Sequence, residues 1–195
     1  MLARYKRLPL GYICLHRSVR GSIPRGPIVT MTNLEIDQQE LLGFIAKAHR
    51  HTYAAPKEVR KQHKLETPFL PGHKCYYFKD GEFEYYDGYA GSEWAPGREV
   101  VLQSGNPIWA MSYQGKHNES YSADFFQNEA FPFLKRALMN MDDSMPFRGP
   151  KEFVDGDFKY VFELRGDYQY FVGREAITHK GIEVFFQDVM GELIK

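Results

Sequence analysis

The chain has 195 residues and a mass of 22.7 kDa, of which 43% are hydrophobic and 15% aromatic, and its 25 Lys and Arg balance 25 Asp and Glu. Two cysteines, Cys14 and Cys75, exclude a disulfide framework, and a neutral chain lacks the clustered basic residues of a dedicated nucleic-acid domain. No apolar run approaches the roughly 20 residues a membrane helix needs, whereas 13 Tyr and 15 Phe favour strands, on whose pleated surface flat rings pack well.

Residues 1–30 hold Arg4, Lys6, Arg7, Arg17, Arg20 and Arg25 and no acid, so 19 basic residues face 25 acidic ones in the remainder. They read as a disordered or leader segment ahead of Met31. Organelle targeting by this segment is the minor alternative to a cytoplasmic location, because Pro9, Pro24 and Pro27 interrupt any amphipathic helix.

"IDQQELLGFIAKAHRHTYA" opens with Asp37 as a cap, Glu40 three residues later, and Ile36 and Leu41 placed as a staple. Leu41, Ile45 and Ala48 keep helical spacing, and His49 stands at the end of that apolar face. Pro56 closes the helix, and residues 55–74, including the basic "EVRKQHK", read as a long polar, solvated loop. From 75 the period becomes two, with Phe83, Tyr85, Asp87 and Tyr89 on one strand face after an Asp80-Gly81 turn. "REVVLQ" and "PIWAMSYQG" continue as strands, and a second helix is expected within 128–141, with Pro132 in its first turn.

The stretch "KDGEFEYYDGYAG" at 79–91 is echoed by "VDGDFKYVFELRG" at 154–166. Phe78, Asp80, Gly81, Phe83, Tyr85 and Gly91 match Phe153, Asp155, Gly156, Phe158, Tyr160 and Gly166. Gly97, Arg98 and Glu99 then match Gly173, Arg174 and Glu175 after one inserted residue. The expectation is an α+β fold with an internally duplicated helix plus four-stranded antiparallel meander. Its two pseudo-symmetric repeats, about 37–117 and 125–195, would form a single domain over 31–195.

"FIAKAHRHTYA", "YYDGYAG", "GNPIWAMSYQG", "MPFRGPKEFVDGDFKY" and "GIEVFFQDVMGELI" together resemble the mainly bacterial family called domain of unknown function 5680, over roughly residues 38–195. The family often has Asn where Ser112 stands, and His-Gly-Gly where this chain has Met190-Gly191-Glu192. The resemblance implies a shared fold and no particular reaction. Family members sometimes follow a helix-turn-helix, and none is read here, which weighs against a transcriptional role.

Candidate site residues are sought where the two copies differ. Glu99 and Glu175, present in both, read as structural partners of Arg98 and Arg174. Asp87 faces Phe162 in the comparison and sits among aromatic residues, where an unpaired buried charge costs several kcal/mol. It either caps a backbone or pairs with Arg148 or His49, or it anchors a ligand in an aromatic pocket. Trp109 and Tyr113 share a strand face beside it, and Arg148 in "PFRGP" could clamp an anionic group or tie its loop to Asp87. His49 reads as a core histidine before a general base. Asp87, Trp109, Tyr113, Arg148 and His49 are therefore the candidate ligand-binding residues.

No catalytic residue is assigned. The serines lack a nucleophile elbow and "GSEWAPG" lacks the ending of a phosphate loop. His49 and His51 diverge on a helix, while His73 and Cys75 lack further ligands, so no metal and no cofactor are expected. The expected function is a non-enzymatic small-molecule-binding or sensory domain. Alternatives are a hydrolase or group-transfer enzyme using Asp87 with His49 or Arg148, and a protein-interaction module. A small-molecule ligand is the expected partner, a homodimer is left open, and neither nucleic acid nor membrane is expected.

Overall fold

The computed structural model describes residues 36–92 and 94–195, so the leader expected over 1–30 lies outside the described residues. Helix α1 (Gln38–His49) begins at the capping signature, where the Gln39 and Glu40 amides donate to the Asp37 carboxylate at 2.8 and 3.0 Å. Leu41, Ile45 and Ala48 are fully buried, and Ile36 packs against the same core. Pro56 does not close this helix; it opens α2 (Lys57–His63), so the stretch expected as loop contains a second helix. None of α2 is buried, which removes the apolar periodicity by which a helix is recognised.

Strands β1 (Lys74–Asp80), β2 (Phe83–Tyr89), β3 (Gly97–Gln103) and β4 (Asn106–His117) follow as successive hairpins. A continuous helical run then comprises α3 (Ala123–Phe125), a π-helical turn (Phe126–Ala130) and α4 (Phe131–Met139). Ser122 starts it, accepting from the Phe125 amide at 3.2 Å, so the run begins ahead of the helix expected within 128–141. Pro132 has no N–H to donate and its ring crowds the carbonyl four residues earlier; the wider π turn just before it accommodates both. Strands β5 (Glu152–Asp155), β6 (Phe158–Asp167), β7 (Tyr170–His179) and β8 (Ile182–Leu193) complete the chain.

The expected α+β architecture of two helix-plus-meander repeats is corrected by the strand order. All eight strands form one antiparallel sheet, β1-β2-β3-β4-β8-β7-β6-β5, which dominates the fold. The two longest strands, β4 and β8, pair from Trp109 opposite Leu193 to His117 opposite Phe185, so one core runs across the middle of the sheet. The sequence echo falls largely on hairpin chemistry, including Gly81 at φ 58° and Gly156 at φ 61°, which any tight turn of this kind requires. The helical parts have no such likeness, since α1 and α2 are separated by turns whereas the run from 123 to 139 is continuous through its π turn. Helix α1 packs on β1 and β2, and α4 packs on β6. No helix among the described residues is long and apolar enough to cross a membrane.

Gly115 holds the central seam closed. A Cβ there would collide with the Phe186 carbonyl oxygen and the Gln187 backbone of β8, neither of which can swing aside like a side-chain tip. Gly115→Ala is expected to lose about 1–3 kcal/mol of stability, the usual range for overpacking, read as a lower midpoint in urea with an unchanged slope.

Candidate functional site

Directly opposed residues on antiparallel strands share a face of the sheet. Asp87 stands opposite Glu99, and Glu99 opposite Met111; two residues along, Tyr89, Gly97, Tyr113 and Val189 stand in line. Gly97 allows β4 to reach across to β2. The Tyr113 ring lies over it, where any Cβ would collide, and the phenol donates to Asp87 Oδ1 at 2.6 Å.

Asp87 is buried, and among the described residues no other hydrogen bond reaches its carboxyl. Burial, and then the nearby Glu99 charge, push it up to about 8, against the opposing pull of the Tyr113 hydrogen bond and Arg148. Burial therefore favours the protonated form of Asp87, which can donate a hydrogen bond. The pairing with Arg148 or His49 that the sequence allowed is not formed.

Both of those groups turn to other carboxylates. His49 Nε2 lies 2.8 Å from Glu99 Oε2, with its ring edge-on to Tyr85. Arg148 arrives on the 145–150 loop, which is fastened by Phe147 stacked on Trp109 at 5.7 Å and on Phe171 at 4.1 Å. Its Nη2 and Nε donate to the two oxygens of Glu175 at 2.6 and 3.1 Å, Nη2 also reaches Gln187 at 3.2 Å, and Nη1 lies 3.8 Å from Glu99. Tyr160 donates to Glu175 at 2.8 Å. The expected partners Arg98 and Arg174 cannot serve, because neighbours on a strand point to opposite faces; Arg174 instead meets Asp188 at 3.2 Å on the outer face. Three carboxyl groups, Asp87, Glu99 and Glu175, therefore face one guanidinium and one imidazole.

All of these except Glu175 border a cavity of about 380 Å³ between the helices and the inner face of the sheet. Asp87, Tyr113, Arg148 and His49 all lie on its wall. Trp109 does not: it is fully buried under Phe147, further along the strand face it shares with Tyr113. The strand periodicity correctly placed Trp109 inward but could not tell core from cavity.

The exposed part of the wall is basic. Lys57, Arg60, Lys61 and Lys64 come from α2 and the residue after it, Lys74 from β1, and the half-buried Lys135 from α4. Lys135 Nζ sits over the Tyr53 ring at 4.9 Å and Lys74 Nζ over Tyr89 at 5.6 Å. Burial, then the charges of Arg60 and Lys74, lower Lys135 to about 8. The signal for this edge was legible in "KEVRKQHK", for positions 57, 60, 61 and 64 repeat at helical spacing in charge rather than in hydrophobicity. Among the described residues no three His, Cys, Asp or Glu gather as a metal site.

No curated protein and no solved structure matches the chain. Residues 87–194 match the family described as Domain of unknown function (DUF5680). The matched span is more than half the chain and contains Asp87, Glu99, Tyr113, Arg148 and Glu175, and the chain therefore belongs to the DUF5680 family.

Proposed function

We propose that the domain binds a small molecule in this cavity, with the Asp87 carboxyl and the Tyr113 phenol as its inner polar anchor and Tyr85 and Tyr89 among the aromatic residues around it. The observation that supports this reading is Asp87 itself: a buried carboxyl with a single hydrogen bond among the described residues, on the wall of a cavity. A carboxyl kept for structure alone would be expected to have its remaining hydrogen-bonding capacity filled by protein groups. Aromatic walls with a few convergent polar groups are the usual make-up of ligand sites, and about 380 Å³ is within their usual size. A sensory or binding role suits this make-up better than catalysis by Asp87 with His49 or Arg148, because both of those are held by Glu99 and Glu175.

Thermal unfolding of the full chain against a broad metabolite panel tests the reading. A true ligand at a hundredfold excess over its Kd is expected to add about 2.7 kcal/mol to the wild type and to lose most of that effect in Asp87→Asn and Tyr113→Phe. Equal stabilisation of all three proteins would remove Asp87 and Tyr113 from the site.

A further inference from the structure

The cavity is chemically two-sided: basic residues line its exposed part, and the Asp87 and Glu99 carboxyl groups lie beside Arg148 and His49 at its buried end. Among the described residues none of Lys57, Arg60, Lys64, Lys74 and Lys135 has a carboxylate within ion-pairing distance, and Lys61 is the cavity lysine that does, meeting Glu58 at 3.3 Å. Three separate elements, α2, β1 and α4, aim these cations at one opening. Lys135 is half-buried and near enough to Arg60 and Lys74 for their charges to disfavour its own. Such a cluster is repulsive when empty and is relieved by an anion with several acceptor oxygens. Behind it, Tyr53 and Tyr89 present rings beneath Lys135 and Lys74, and the inner end offers the Asp87 and Tyr113 pair.

Building on the small-molecule reading above, we propose that the ligand is a phosphorylated small molecule with a flat, hydrogen-bonding body, of the kind a mononucleotide represents. The phosphate sits among Lys135, Lys74 and Arg60, the body lies along the tyrosines, and its polar edge meets Asp87. A phosphate fits better than a carboxylate because cations from three elements line one opening, matching its three oxygens and nearly two charges. A flat body fits because rings stack favourably on tyrosine faces. A neutral Asp87 donates to a ring nitrogen or carbonyl without adding a second negative charge to the ligand's surroundings.

Titration calorimetry on the full chain tests this with four probes: ribonucleoside 5′-monophosphates, the matching nucleosides, inorganic phosphate, and a short single-stranded RNA. At least one monophosphate is expected to bind about ten- to hundredfold more tightly than its nucleoside, the range for charge-assisted hydrogen bonds. Lys74→Met/Lys135→Met is expected to remove most of that advantage while leaving the circular dichroism spectrum and melting point close to wild type. Equal binding of nucleoside and monophosphate overturns the phosphate assignment and leaves the cavity reading standing, as does a non-phosphorylated binder from the metabolite panel alone. Tight binding of the RNA without the monophosphates would place the basic edge in a nucleic-acid surface and overturn the proposal. If neither the monophosphates nor any member of the panel binds, both readings fall together.

Discussion

Replacing Arg148 by Met is expected to destabilise the fold by about 3–5 kcal/mol, the range found when one partner of a buried ion pair is removed. The Arg148 and Glu175 side chains are 8% and 0% exposed, and among the described residues no second guanidinium pairs with Glu175. Without Arg148, Glu175 keeps only the Tyr160 hydroxyl as a donor among the described residues, and Glu99 keeps His49. Domains are stable by roughly 5–15 kcal/mol, so the loss would be a third or more of the total. Most of it is the cost of a stranded carboxylate rather than the worth of the pair, which a second variant separates. Arg148→Met/Glu175→Gln is expected to recover more than half of the loss in urea denaturation. Arg136→Met serves as the contrast, since it breaks an exposed pair with Asp155 and should change stability by less than about 1 kcal/mol. An Arg148→Met loss no larger than that of Arg136→Met would mean that the buried network relaxes or admits water, and that the loop is held by Phe147 alone.

The same network separates what the sequence makes legible from what only the fold decides. Asp37, Leu41 and Ile45 announced α1 because capping and apolar spacing are local signals, and both survive in the fold. The inward face of β2 was legible for the same reason, since alternation alone puts Tyr85 and Asp87 on one side. The partners of the buried charges were not legible. Arg98 is adjacent to Glu99 in sequence but projects to the other face, whereas Arg148 is distant in sequence and is delivered by a loop whose depth depends on Phe147 entering the core. The echo between the two halves was real in sequence yet overread, because turn glycines and inward aromatics recur in any run of hairpins. Whether two runs form separate sheets or one is decided along β4 and β8, where nothing local records the pairing. The cavity lay hidden in another way: α2 contributes charge and no buried residue, so its stripe is periodic in a property that a search for core residues does not weigh.

Asp87→Asn is expected to gain on the wild type as the pH rises. In the folded chain the Asp87 carboxyl is pushed up from 3.8 to about 8, first by burial and then by Glu99, while Tyr113 and Arg148 work in the opposite direction. Below pH 3.8 both folded and unfolded chains hold this proton, and the wild type is at its best relative to the variant. Between 3.8 and about 8 the unfolded chain has released a proton that the folded chain retains, so the unfolded state binds fewer protons and stability falls with rising pH. Above about 8 the carboxylate is ionised in both states and the loss is complete. The slope is bounded by about 1.4 kcal/mol for each unit of pH, and between pH 5 and 9 the variant should improve on the wild type by on the order of 4 kcal/mol. Tyr85 and Tyr113 are held well above 10 by burial and by the surrounding carboxyl groups, so they contribute little to the difference in this window. Urea denaturation of both proteins at pH 5, 7 and 9 reads the effect directly. A gap that stays level across those three values would mean that Asp87 is ionised throughout, and its place in the cavity would then be that of a charged anchor for a cationic ligand group rather than a donor to a neutral one.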